Sequence, residues 1–399
     1  MKIEKKKTIL ITEGENRSSL AATRSLGRAG YRVMVTGGKR KNISSASRFC
    51  SLSFQMPSPE AEPKKFIQAM EELLDKENID YVLPMTEPAL FLLSQKDKGR
   101  FGKTRIIDES STKLAAVFDK LHVFKLAIKK NIAVPKTSFI STPFDFFDLL
   151  EKGDFDFPVV IKPGMSKIYH DTGFVSTQVC YAEDQSSLMQ WYERHGTTVG
   201  PFMVQEKIDG PGTGLFTLFD TDKHLALFSH RRLLEKPPSG GISVYSESVP
   251  LDPEMVEASR ILLSEVRWQG VAMVEFKRDA RDGKAKLMEI NGRLWGSLQL
   301  AVQSGVDFPL LLMTYMEKGL FPNRPPRYEI GTRLVWILGL LDHFLIRIKP
   351  GRKKASIAPI RPSAWKAFQK TWFDVLDPRD LGPFLFEIQS YATQLIHRR

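Results

Sequence analysis

Two short runs in this 399-residue chain, VAMVEFK over 271–277 and KLMEINGR over 286–293, carry carboxylates at a spacing that could hold a cation. Strand alternation puts Met273, Glu275 and Lys277 on one face of the first run, and Leu287, Glu289 and Asn291 on one face of the second. Pairing Asp279 with Ala285 sets Glu275 directly opposite Glu289. Two carboxylates so placed repel, raising one pKa, unless a hard cation lies between them. Mg²⁺ carrying nucleotide phosphates suits the position, with Mn²⁺ as a substitute, because it takes oxygen from one or two carboxylates and leaves its other positions to phosphate and water. Asn291 adds a neutral oxygen, and Arg293 lies one pleat further on, placed to stabilise transferring charge. The same residues also fit an ordinary hairpin with solvated carboxylates on its outer face.

A second cluster spans 230–243 and reads HRRLLEKPPSGGIS. Its cations lead into a proline-stiffened Gly-Gly turn, which offers charge and free N–H groups to an oxyanion. The expectation is that Arg232 and the amides of Gly240 and Gly241 bind a carboxylate or acyl phosphate. A hairpin with a solvated basic strand is the alternative.

A content of 42% hydrophobic and 26% charged residues makes a globular protein of two or three domains. Cys50 and Cys180 stand alone, without a Cys-x-x-Cys pair, which argues against a disulfide framework or a zinc site and for a reducing, cytoplasmic location. The N-terminal apolar run is confined to 9–11, a first buried strand and not a signal peptide. The net charge is +12, and residues 323–399 hold 14 Lys+Arg against 6 Asp+Glu, or +8 of it. Such a segment can attract an acidic partner or a membrane surface. No nucleic-acid module accompanies it, so specific nucleic-acid binding is not expected. The oligomeric state is not encoded in any of these features.

Strand-like runs at 8–12, 31–36, 81–84 and 104–107 alternate with helical ones at 18–29, 64–76 and 87–94, the pattern of a parallel sheet covered by helices. The turn Gly14-Glu15-Asn16-Arg17 lacks the Gly-x-Gly-x-x-Gly of dinucleotide sites. A helix over 111–130 opens a second unit, with strands at 157–162, 202–205, 214–220 and 224–230 and helices at 141–152 and 184–195, which reads as α+β lobes. A linker at 322–327 follows. The apolar run 334–348 contains Asp342, His343 and Arg347, too short and too charged to span a bilayer. It is expected to pack on the body, while Arg352, Lys353 and Lys354 keep a surface-docking role open.

Four segments occur in one order: Asp119-Lys120 with Val134-Pro135-Lys136-Thr137; Pro158-Val159-Val160-Ile161-Lys162-Pro163; Met203 to Gly210, reading MVQEKIDG; and Glu275 with Glu-x-Asn-x-Arg at 289–293. Together they resemble the ATP-grasp superfamily, in its carbamoyl-phosphate-synthetase-like branch of carboxylate–amine ligases. The resemblance implies an N-terminal α/β domain over 1–115, a two-lobed ATP-grasp domain over 116–322 and a basic extension over 323–399. It implies that Lys120 and Lys162 reach the ATP phosphates, that backbone groups of Lys207 and Ile208 read the adenine edge while Glu206 accepts from its amino group, and that Glu275, Glu289 and Asn291 hold Mg²⁺. The implied reaction activates a carboxylate as an acyl phosphate for attack by an amine or thiol, with release of ADP and phosphate. A nucleotide-binding protein with little turnover that docks a partner or membrane through its basic segment is the alternative, and direct phosphoryl transfer a third. One departure stands out. Residues 164–173 are poor in the glycines that close over phosphates, leaving Ser166, Lys167 and Thr172 for that role.

Overall fold

The computed structural model describes residues 6–95, 101–107, 111–170, 172–196, 198–238, 240–319, 325–348 and 370–397. Ser239 and the basic triplet Arg352, Lys353 and Lys354 lie outside the described residues, as does the start of the 322–327 linker.

The first strands, β1 (Thr8–Ile11), β2 (Arg32–Gly37), β3 (Cys50–Gln55), β4 (Tyr81–Leu83) and β5 (Arg105–Ile106), form a parallel sheet in the order β3-β2-β1-β4-β5. β1 is buried along its whole length, as a central parallel strand covered on both faces must be. Helices α1 (Arg17–Arg28), α2 (Pro63–Lys76) and α3 (Glu87–Ser94) connect these strands. The order reverses at β1, with β2 on one side and β4 on the other, and this opens a crevice at the carboxyl ends of β1 and β4.

The single helix expected over 111–130 is two: α4 (Ser111–Phe118) and α5 (Lys120–Lys129). Asp119 breaks it, because its carboxylate accepts from the N–H groups of Leu121 at 2.9 Å and His122 at 3.2 Å and so caps α5. Lys120 is thereby fixed in the first turn. Next comes an antiparallel sheet in the order β10-β7-β11-β6, made of β6 (Thr137–Ile140), β7 (Val159–Pro163), β10 (Cys180–Ala182) and β11 (Phe202–Glu206). Helices α6 (Pro143–Lys152) and α7 (Gln185–His195) accompany it, and β8 (Lys167–His170) with β9 (Gly173–Ser176) forms a separate hairpin.

The largest sheet has seven strands in the order β16-β15-β12-β13-β14-β17-β18. They are β12 (Gly212–Asp220), β13 (Lys223–Lys236), β14 (Ile242–Ser248), β15 (Gln269–Arg278), β16 (Ala285–Asn291), β17 (Arg333–Val335) and β18 (Thr371–Phe373). One apolar cluster joins Leu215, Phe219, Val274 and Leu287 to Leu262 and Leu263 of α8 (Pro253–Glu265). The alternate residues Phe216, Leu218 and Phe228 belong to a second cluster with Trp295, with Phe308 of α10 (Phe308–Lys318), which follows α9 (Leu298–Ser304), and with Ile9 and Ile11 of β1. Apolar burial on both faces therefore locks this sheet to the N-terminal one.

The last segment extends the same sheet. β17 pairs antiparallel with β14, β18 pairs parallel with β17, and α11 (Ile337–Ile348) and α12 (Gly382–His397) complete it. Arg17, Arg24 and Arg28 project from α1 at helical spacing onto Asp374, Asp380 and Asp377. The wholly buried Arg24 donates from Nε to Asp380 at 2.9 Å and from its Nη groups to the carbonyls of Asp374, Val375 and Asp380. A buried guanidinium is tolerable only when its donors are matched in this way. Among the described residues no helix is long and apolar enough to cross a membrane.

Candidate active site

The β15–β16 hairpin pairs Arg278 with Ala285, Lys277 with Lys286 and Phe276 with Leu287, then shifts register so that Glu275 faces Glu289 and Met273 faces Asn291. The opposed carboxylates are there, but they are reached through a bulge at Met288 and not by pairing Asp279 with Ala285. The bulge also changes the faces. Leu287 and Ile290 enter the core, whereas Glu289 and Asn291 line a cleft and the Met288 sulfur lies 3.7 Å from Lys162 Nζ.

Glu289 accepts from Asn291 Nδ2 at 2.9 Å, and Glu275 accepts from Arg232 Nη2 at 2.5 Å. Burial holds Glu275 above the usual carboxylate range, against the pull of Arg232 and with the push of Glu289. For Glu289, burial is outweighed by Lys120, by the Asn291 bond and by Lys162, and its carboxyl is held below that range.

Lys162, buried in β7, has its ammonium 5.5 Å from the Phe124 ring, and among the described residues it feels Glu289 and Glu275 without forming an ion pair with either. Burial lowers its pKa to about 8, assisted by Lys120 and opposed by Glu289 and Glu275. Lys120 Nζ donates to Ser166 Oγ at 2.5 Å. A desolvated ammonium without an anion is a ready partner for phosphate. No group of three or more His, Cys, Asp or Glu side chains is arranged for a metal among the described residues. Two carboxylates and an amide are a donor set that fits Mg²⁺ whose other ligands are phosphate and water.

At the end of β11 the Glu206 carboxylate accepts from the Lys136 N–H at 2.9 Å, from Lys286 at 2.9 Å and from Arg281 at 2.7 Å, beside Asp279 in the same network. Glu206, expected to accept from an adenine amino group, thus already takes three protein donors, which leaves about one of a carboxylate's roughly four acceptor sites. Lys207 pairs with Asp209 through its side chain, and the Ile208 carbonyl accepts from Lys277 at 3.2 Å, so Glu206 and Lys277 both brace this connection.

The cations of 230–243 are also engaged internally, chiefly because β13 continues as strand through Lys236. Arg231 pairs with Glu247, Lys236 with Asp342 of α11, and Arg232 with Glu235 at 2.9 Å as well as with Glu275. Arg232 Nη1 also reaches the Gly241 carbonyl at 3.2 Å. Arg232, expected to bind a carboxylate, is here the counter-ion of Glu275. Arg293 is less committed. Its Nη2 lies 3.5 Å from Asn291 Oδ1 and 3.6 Å from Glu87, and its Nε is buried without a hydrogen-bond partner.

Of these groups Ser166, Arg232, Glu275, Glu289, Asn291 and Arg293 line a cleft of about 1290 Å³, bounded also by Glu13, Glu15 and Arg17 of the N-terminal crevice and by α11 and α12. Glu13 has a left-handed backbone, φ 45°, at a position where a non-glycine residue is uncommon. Its carboxylate accepts from Thr12 at 2.6 Å and Thr86 at 3.2 Å, and burial pushes it up to about 7. The glycine-poor segment forms the β8–β9 hairpin, where Lys167 pairs with Glu60, the Phe174 N–H donates to the Glu60 carbonyl at 2.7 Å, and Tyr169 and Phe174 pack on Phe91. Sequence reasoning missed Glu13 and the cleft-lining faces of α11 and α12. A charged residue two positions after the buried apolar run 9–11 was the available signal for Glu13.

Residues 200–339 match the model of a family described as ATP-grasp in the biosynthetic pathway with Ter operon. The chain is 24% identical over 200 residues to a D-aspartate ligase of Enterococcus faecium, a match that spans 48% of each protein, about half the length of that relative. Among solved structures it superposes on an L-amino acid ligase from Bacillus licheniformis with a TM-score of 0.59 at 17% identity, over 86% of this chain and 77% of that one. It superposes on the biotin carboxylase domain of a Hydrogenobacter thermophilus 2-oxoglutarate carboxylase, solved with MgADP and bicarbonate, with a TM-score of 0.60 at 13% identity, over 82% and 73% of the two chains. The chain has the ATP-grasp fold.

Proposed function

We propose that the protein is an ATP- and Mg²⁺-dependent ligase that activates a carboxylate as an acyl phosphate for attack by an amine and releases ADP and phosphate. The observation that carries this reading is the convergence on one cleft of Glu275 and Glu289 in opposed register and of Arg293 with an unused buried donor, with the buried Lys162 ammonium behind them and close enough to feel both carboxylates. The ATP-grasp fold and the ligase relatives support it.

In this reading Glu275, Glu289 and Asn291 hold Mg²⁺, which when bound neutralises phosphate charge. Lys162 and Lys120 face the phosphates from β7 and α5, and their charge counts for more because the site is desolvated. Backbone groups of Lys207 and Ile208 read the nucleotide base, with Glu206 positioning them through Lys136, Arg281 and Lys286. Arg293 orients the substrate carboxylate. An amine is favoured over a thiol because the cleft carries carboxylates without cation partners. A purely nucleotide-binding role is less well supported, since the cleft continues past the metal carboxylates into space bounded by α11 and α12.

The test is ADP release from Mg-ATP with a panel of small carboxylates and amines, comparing the native chain with Arg293→Ala. Release that needs both an acid and an amine, and falls on loss of Arg293, is expected. Failure of the native chain to bind MgADP would overturn the reading.

A further inference from the structure

The cleft has an end that the nucleotide chemistry leaves unassigned. On α11, residues 338, 342, 345 and 346 line it at helical spacing, and three of the four are aliphatic: Leu338, Leu345 and Ile346. The fourth, Asp342, is neutralised by Lys236 and receives the Tyr391 hydroxyl at 2.5 Å. Leu345 is 47% exposed, so among the described residues nothing covers this apolar surface in the cleft. The Arg17 guanidinium stacks at 4.1 Å on Trp336, which immediately precedes α11, and so ties this wall to the loop that carries Glu13.

The charges of the cleft point the same way. Among the described residues each cation that lines the cleft is matched: Arg17 by Asp374, Lys167 by Glu60, Arg232 by Glu275, Lys236 by Asp342, and Arg293 at longer range by Glu87, while the unpaired Lys162 lies behind the lining. Glu13, Glu15 and Glu387 line the cleft with no ion pair among the described residues, and Glu387 Oε2 is buried with no hydrogen-bond partner. Glu13 lies near the reacting end, because it accepts from Thr86, whose neighbour Glu87 faces Arg293. A ligand entering here meets carboxyl groups without cation partners beside an aliphatic wall, and an arriving ammonium favours the ionised form of the buried Glu13.

We propose that the nucleophile is a primary amine bearing an aliphatic side chain, bound with its ammonium on Glu13 and its side chain against Leu338, Leu345 and Ile346. The assignment rests on the ligase reading and deepens it by naming the amine. It also makes the α11 wall, which lies almost wholly beyond the segment matched by the family model, the part that sets specificity.

Titration calorimetry of the full chain saturated with MgADP tests this, with 3-methylbutylamine, methylamine and 3-methylbutanoate as probes. The branched amine should bind more tightly than methylamine. Leu345→Ala, at an exposed position, should weaken the branched amine by about tenfold and leave methylamine unchanged. Glu13→Gln, which keeps an acceptor for Thr12 and Thr86, should weaken both amines. Equal affinity for the two amines, an unchanged branched-amine affinity in Leu345→Ala, or stronger binding of 3-methylbutanoate that persists in Arg293→Ala would overturn the proposal. MgADP binding is read in the same samples: its absence counts against the ligase reading, and its presence without amine discrimination counts against this one.

Discussion

Arg232 Nη2 donates to Glu275 Oε2 at 2.5 Å, so a guanidinium from β13 is the counter-ion of one of the two opposed carboxylates on the β15–β16 hairpin. Both side chains are only 15% exposed, and Arg232 has its second arm on Glu235. A pair held this way sets the charge at the β15–β16 end of the cleft before any ligand arrives.

Breaking that pair should cost stability more than substrate binding. Arg232→Met leaves Glu275 desolvated without a cation, and a loss on the order of 3–5 kcal/mol is expected. Adding Glu275→Gln should recover part of it, because the stranded charge is gone. Denaturant unfolding of the two single variants and the double variant checks this, and additive losses would contradict the coupling.

Glu289→Gln or Asn291→Ala should weaken MgADP binding and lower ATP turnover by about a hundredfold, the scale of removing a positioned electrostatic group. Both residues project to the cleft from the bulged strand. Calorimetry with MgADP and a coupled ADP assay measure the two effects, and unchanged values in both variants would remove the metal assignment.

Burial lowers Lys162 to about 8, and this gives nucleotide binding a pH dependence with a definite sign. A bound phosphate favours the ammonium, so binding raises the lysine pKa and takes up a proton once the free protein has begun to lose it. MgADP affinity should therefore fall as pH rises through 8, with proton uptake detectable from calorimetry in buffers of different ionisation enthalpy. Lys162→Met should abolish that dependence. For folding itself the sign is opposite. The folded-state pKa lies below the usual lysine value, so the group's cost to stability shrinks as pH rises from about 8 toward that value.

The extension should be inseparable from the body. Asp380→Asn leaves the buried Arg24 without its carboxylate and is expected to destabilise by about 3–5 kcal/mol, read as a lowered unfolding midpoint. Deletion of 330–399 removes β17, β18 and every partner of Arg24 shown here, and should give insoluble or strongly destabilised protein. A soluble truncation with an unchanged midpoint would show that the three Arg–Asp contacts of α1 contribute nothing.

Local spacing was enough to make much of this protein legible. Buried apolar runs such as 9–11 mark central strands, and Glu275 with Glu-x-Asn-x-Arg at 289–293 marks the carboxylate hairpin, because strand alternation is a property of neighbouring residues. The order of Lys120, Lys162 and the 203–210 segment relative to that hairpin was equally readable. The partners of the charges were not. Glu206 and Arg232 have the residue types of ligand-binding groups, yet Lys286 and Arg281 pair with the first and Glu275 with the second, and those pairs form only when segments distant in the chain meet. The bulge at Met288, which reassigns Leu287 to the core, follows from pairing and not from alternation. That the run 334–348 packs on the body was readable from its large apolar residues, but the place where the segment packs was not. Its aspartates meet α1 and its aliphatic residues on α11 reach the cleft only through the fold, since side chains some 350 positions apart acquire a common environment when the chain is packed. Sequence determined which groups were available and their local faces; tertiary structure decided which charges neutralise one another and which remain for a ligand, because burial and distance set electrostatic strength.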